Sequence, residues 1–102
     1  MIGIGPYTFT DVRYDAFNDE LDAYVDGRSG GVGKSAKELH VWYYADEDYD
    51  ELIGITLNGA RLMLKKLGAV KVTLPDGDTV EAEGVAEYLE GLHGQGSWPD
   101  ID

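Results

Sequence analysis

The sequence predicts an α+β fold: an antiparallel sheet of about four to six strands with two short helices packed on one face. Several short runs rich in Val, Ile, Thr, Tyr and Phe alternate apolar and polar residues, separated by Gly-, Asp- or Asn-bearing turns. Two other segments place apolar residues at i, i+3, i+4 and i+7, the spacing of one helical face. A chain of 102 residues cannot supply the several long crossovers that a parallel sheet needs.

Tyr7 to Tyr14 is dense in β-formers and reads as the first strand, with Pro6 as its stop. Asp15 to Glu20 reads as a turn. Leu21, Ala23 and Val25 alternate with Asp22, Tyr24 and Asp26, the period of a half-buried strand. Gly27 to Gly33 holds four glycines and is expected to be a loop. Ser35 to Tyr44 reads as one long strand, and the acidic run Asp46 to Glu51 as the turn into a strand over Leu52–Leu57. These two strands are expected to form an antiparallel hairpin.

Asn58 is the expected N-cap of a helix from Gly59 to Leu67, with Ala60, Met63, Leu64 and Leu67 on its buried face. Lys65 and Lys66 fall in the last turn, where the helix dipole favours cations, and Gly68 ends it. Val70, Val72 and Leu74 mark a strand, Pro75 to Asp78 a turn, and Thr79 to Glu83 the returning strand. Val85, Tyr88, Leu89 and Leu92 repeat the helical spacing. Residues 1–92 are thus expected to form one domain, and the Gly-rich residues 93–102 a C-terminal tail.

Twenty acidic against eight basic residues give a formal charge of −12. Such a surface repels nucleic-acid backbones and anionic membranes, so direct binding to either is not expected. Without cysteine there is no disulfide, thiolate metal site or cysteine nucleophile. No apolar run approaches the ~18 residues of a membrane-spanning helix, and Met1 to Pro6 lacks the start of a signal peptide. A cytoplasmic location is expected. The acids are unevenly placed: Lys71 is the last base, and Asp76, Asp78, Glu81, Glu83, Glu87 and Glu90 follow it. Four of the eight bases, Arg61, Lys65, Lys66 and Lys71, lie just before that stretch.

The segment Ser29-Gly30-Gly31-Val32-Gly33-Lys34-Ser35 imitates a phosphate-binding loop, but Arg28 stands where the first glycine belongs and the β-forming run Val41 to Tyr44 leaves no room for the required helix. A glycine loop joining two strands is the simpler reading, and no cofactor is expected. Asp46, Asp48 and Asp50 have the 1, 3, 5 spacing of a calcium loop, yet Glu51 and Leu57 occupy the positions of its glycine and bidentate glutamate. The two histidines, His40 and His93, have no metal-ligand spacing, and Ser29, Ser35 and Ser97 lie in no nucleophile elbow. No catalytic residue and no metal site are expected, and the protein reads as a non-enzyme.

The informative feature is aromatic. On the strand ending at Tyr44, residues Leu39, Val41 and Tyr43 share one face and His40, Trp42 and Tyr44 the other. If the helices cover the first face, the second is either an open aromatic surface, joined by Tyr24 and by Trp98 of the tail, or a second small core layer covered by the tail or the N-terminus. Tyr24, His40, Trp42, Tyr44 and Trp98 are therefore the expected partner-binding residues.

Tyr14-Asp15, Asp19, Leu21 and Val25-Asp26-Gly27, followed by Lys34-Ser35, Glu38, Asp46 to Asp50, Leu52-Ile53-Gly54-Ile55 and Asn58-Gly59-Ala60, come in an order and spacing that resembles the bacterial family called domain of unknown function 2283, over about residues 13–64. The resemblance implies a small β-rich domain and no particular activity. Two functions compete. One is a small acidic protein–protein interaction module that self-associates or serves in a larger assembly. The other is an acidic inhibitor that presents DNA-like charge to a nucleic-acid-binding protein, as a small phage accessory protein would, through the six acids from Asp76 to Glu90.

Overall fold

A computed structural model describes residues 1–28 and 30–93, with the backbone alone for Leu92 and His93. The chain is α+β, and its strands form two antiparallel sheets rather than one. In order they are β1 (Ile2–Ile4), β2 (Tyr7–Phe9), β3 (Asp11–Asp15), β4 (Glu20–Tyr24), β5 (Val32–Ser35), β6 (Val41–Tyr44), β7 (Leu52–Asn58), β8 (Lys71–Thr73) and β9 (Thr79–Glu83). Helix α1 (Ala60–Leu67) follows β7, and α2 (Val85–His93) follows β9. One sheet runs β2-β1-β9-β8, the other β3-β4-β7-β6-β5.

The expected strand from Tyr7 to Tyr14 is divided at Thr10, where it passes from one sheet to the other. The Thr10 amide donates to the Tyr24 carbonyl at 3.1 Å, so the corner stays hydrogen-bonded. Strand β1 was not foreseen. Ile2 and Ile4 are both buried and pair with Phe9 and Tyr7. Ile2, Ile4, Phe9, Val70 and Val72 from the first sheet meet Leu21, Ala23, Trp42, Ile55 and Leu57 from the second in one core. Ala60 of α1 and Val85 and Leu89 of α2 join it.

The expected long strand Ser35–Tyr44 is also divided. Lys37–Leu39 forms a single 3-10 turn in which Glu38 and Leu39 take positive φ. The chain folds back there, and β5 pairs with β6 as a hairpin, Lys34 opposite Trp42. Part of the expected glycine loop is therefore strand. The β6–β7 and β8–β9 hairpins and both helices stand where the periodicity puts them.

Helix α1 is capped from a distance. Gly59 occupies the N-cap without a side-chain bond. Asp19, from the β3–β4 turn, accepts instead from the amides of Arg61 and Leu62 at 2.8 and 2.9 Å, and its own carbonyl accepts from Gly59. Asn58, the expected cap, donates its side-chain amide to the Leu39 carbonyl. The Tyr14 hydroxyl also donates to Asp19, at 2.7 Å, and burial with that carboxylate beside it pushes the phenol upward.

Candidate functional site

The aromatic surface expected from the sequence is not where the structure puts it. His40, Trp42 and Tyr44 are 0%, 3% and 7% exposed, on the buried face of β6. They line the core because three large rings bury far more apolar area than Val41 and Tyr43. A second reason is polar. Strand β8 ends its sheet, so its outer backbone groups need partners. His40 Nε2 lies 3.2 Å from the Lys71 carbonyl, and Trp42 Nε1 donates to the Thr73 carbonyl at 3.0 Å. The two donors, His40 just before β6 and Trp42 within it, are two residues apart, as are the two acceptors on β8, so side chains close the gap between the sheets.

His40 is satisfied at both nitrogens. Its Nδ1 accepts from the Asn58 amide at 3.1 Å, which leaves the proton on Nε2 to donate to Lys71. Burial lowers its pKa, against smaller opposing effects of the Lys71 bond and the Glu38 charge. A neutral, doubly bonded core histidine is a structural element.

The outer face of the same sheet carries a different aromatic pair. Tyr24, Gly54 and Tyr43 lie side by side across β4, β7 and β6. The two rings stack at 5.6 Å over Gly54. Next to them the buried Thr56 hydroxyl lies 2.5 Å from Asp22 Oδ1 and 3.1 Å from the Tyr43 hydroxyl. Of the expected partner-binding residues, Tyr24 alone is on this open face, where it is half-buried. Burial raises its phenol pKa, helped by Tyr43 and Asp22. Trp98 lies outside the described residues.

The six predicted acids, Asp76, Asp78, Glu81, Glu83, Glu87 and Glu90, are all exposed, on the β8–β9 turn, on β9 and on α2. Gly33-Lys34-Ser35 is extended strand followed by a 3-10 turn, a geometry with no helix N-terminus for a phosphate. In the Asp46 turn, the amide of Asp48 donates to the Asp46 carboxylate, an ordinary Asx turn. Among the described residues no group of three or more His, Asp or Glu is placed to hold a metal ion. Likewise, among them no helix is long and apolar enough to cross a membrane.

Among the described residues are two concave features that sequence reasoning missed. A groove of about 300 Å³ runs beside α1, between Asn58, Leu62, Met63, Lys66 and Leu67. Leu62 and Leu67 are 44% and 60% exposed, and Leu39, whose carbonyl holds the Asn58 side chain, is 81% exposed. Leu67 was expected on the buried helix face. It lies at the last position of α1, beyond the reach of the core. A larger cleft of about 490 Å³ separates β5 and the 3-10 turn from the β8–β9 turn. The signal for both was an apolar or basic residue out of step with its neighbours' period, which is weak in short elements.

No family model matches the chain, and no curated protein or solved structure matches it either.

Proposed function

We propose that this protein is a small acidic, non-catalytic interaction module that self-associates through the groove beside α1, with a second copy as the occupant. The observation that carries this reading is the pair of exposed leucines, Leu62 and Leu67, that line one groove. Large apolar side chains clustered at a surface favour burial against a partner.

Charge favours a second copy in an antiparallel arrangement. Lys65 and Lys66 occupy the last turn of α1, whereas Asp19 caps its first turn and Asp15 and Glu20 lie on the strands that flank that end. A two-fold axis across the helix sets the basic end of one copy against the acidic end of the other, with the leucines between. The helix is about 12 Å long at ~1.5 Å per residue, so both ends come within charge range together.

Sedimentation equilibrium of the full chain tests this. A reversible dimer is expected, weakened at least about tenfold, or ~1.4 kcal/mol, by Leu62→Glu with Leu67→Glu. Reversing Lys65 and Lys66 to Glu weakens it at low salt and less so at high salt. A strictly monomeric chain at millimolar concentration rejects the reading.

The exposure of Asp76, Asp78, Glu81, Glu83, Glu87 and Glu90 favours the second reading, an acidic mimic that binds a cationic nucleic-acid-binding protein. Neutralising Glu81, Glu83, Glu87 and Glu90 removes such binding, and added salt weakens it steeply. Self-association through the leucines survives both treatments.

A further inference from the structure

The larger cleft is chemically unlike the rest of this surface. It lies between the edge strand of one sheet, β5, and the β8–β9 turn of the other. Its volume of about 490 Å³ falls in the range of small-molecule sites, roughly 300–1,000 Å³. The charged side chains that line it are both lysines, Lys34 and Lys37, on a chain whose formal charge is −12. Ser35 and Ala36 complete that side of the cleft. Leu74 and Pro75 supply an apolar wall, and edges of Trp42 and Tyr44 the floor.

The lining is held in place. The Trp42 indole is fixed by its bond to the Thr73 carbonyl. Tyr44 meets the Tyr49 ring edge-on at 5.1 Å, and the Lys34 ammonium sits 5.0 Å above that same ring. A cation positioned this way loses little freedom on meeting an anion. The exposed acids of β9 and α2 turn anions away, whereas this cleft presents two lysines.

From this combination of a rigid apolar floor and two lysines at the rim, we propose that the cleft binds a small ring-bearing anion, its ring against Leu74, Pro75 and Trp42 and its carboxylate or phosphoryl group on Lys34 and Lys37. This site is separate from the groove beside α1, and its fate does not depend on self-association.

Calorimetric titration of the full chain with benzoate, phenyl phosphate, inorganic phosphate and benzyl alcohol tests the proposal. Binding by benzoate or phenyl phosphate is expected, at least tenfold tighter than by benzyl alcohol, which lacks the charge, or inorganic phosphate, which lacks the ring. The stronger of the two ring anions identifies the head group. Lys34→Met with Lys37→Met should weaken that binding at least tenfold without changing the melting temperature. Lys65→Met with Lys66→Met, which alters net charge equally, should leave it unchanged. The proposal is overturned if neither ring anion binds, if the neutral ring binds as well, or if the two lysine pairs have equal effects.

Discussion

The two faces of β6 carry rings of similar size and do opposite work. The inner face, His40, Trp42 and Tyr44, ties one sheet to the other through two bonds onto β8 carbonyls. The outer face, Val41 and Tyr43, lies over a single sheet, where Tyr43 rests on Tyr24 and shares a hydroxyl contact with Thr56. A ring with a polar atom can be fully buried where backbone acceptors lack other partners, and an edge strand provides them. Tyr43 shares its hydroxyl with Thr56 instead and stays half-buried on the outer face. The difference makes the inner face structural.

The largest expected effect comes from breaking the inner face at its centre. Trp42→Ala should destabilise the fold by roughly 3–5 kcal/mol in denaturant unfolding, through lost ring packing and an orphaned Thr73 carbonyl. A loss below about 1 kcal/mol, the usual size for a surface site, would place Trp42 outside the core.

His40 sharpens the same comparison through pH. Its folded-state pKa lies below the ordinary histidine value of 6.5, because burial disfavours the charged ring. Both states are neutral above that value, so His40 contributes no slope there. As pH falls below 6.5 the unfolded chain binds the proton first, and stability drops until the lowered folded value is passed. His40→Leu should cost about 1–3 kcal/mol at neutral pH for the amide and carbonyl it orphans, and should abolish that part of the acid slope. An unchanged slope between the two chains would assign the acid sensitivity elsewhere.

On the outer face, Gly54 is the point of closest approach between the strand and the Tyr24 ring. A Cβ there would enter the Tyr24 ring and lie 2.8 Å from the Ala23 carbonyl. Gly54→Ala should destabilise by about 1–3 kcal/mol. Adding Tyr24→Ala should relieve the ring clash but not the carbonyl contact, so the double-mutant cycle should show favourable coupling and incomplete recovery. The smallest effect is expected from Tyr43→Leu, about 1 kcal/mol from the lost stack and hydroxyl contact. Equal losses for Tyr43→Leu and Trp42→Ala would erase the distinction between the faces.

The local elements were legible because each is encoded by neighbours in the chain. Pro75 to Asp78 turns on its own residues, and Ala60, Met63 and Leu64 share a face by helical geometry alone. The α+β class followed from those periods. Alternation also sorted His40, Trp42 and Tyr44 from Val41 and Tyr43, since side chains on a strand must alternate.

Which of those faces is buried could not be read locally, because both are aromatic and the deciding acceptors, Lys71 and Thr73, are each 31 residues further along the chain. The break at Lys37–Leu39 was equally hidden. Glu38 and Leu39 hold positive φ there while Glu38 accepts from the Thr73 hydroxyl and Leu39 from Asn58, both distant in sequence. Asp19 as the cap of α1 and Thr10 as the corner between sheets follow the same rule. Spacing along the chain sets what a strand or helix can present. Only the packed molecule decides which face meets water, because burial is settled by the partners that tertiary contact brings.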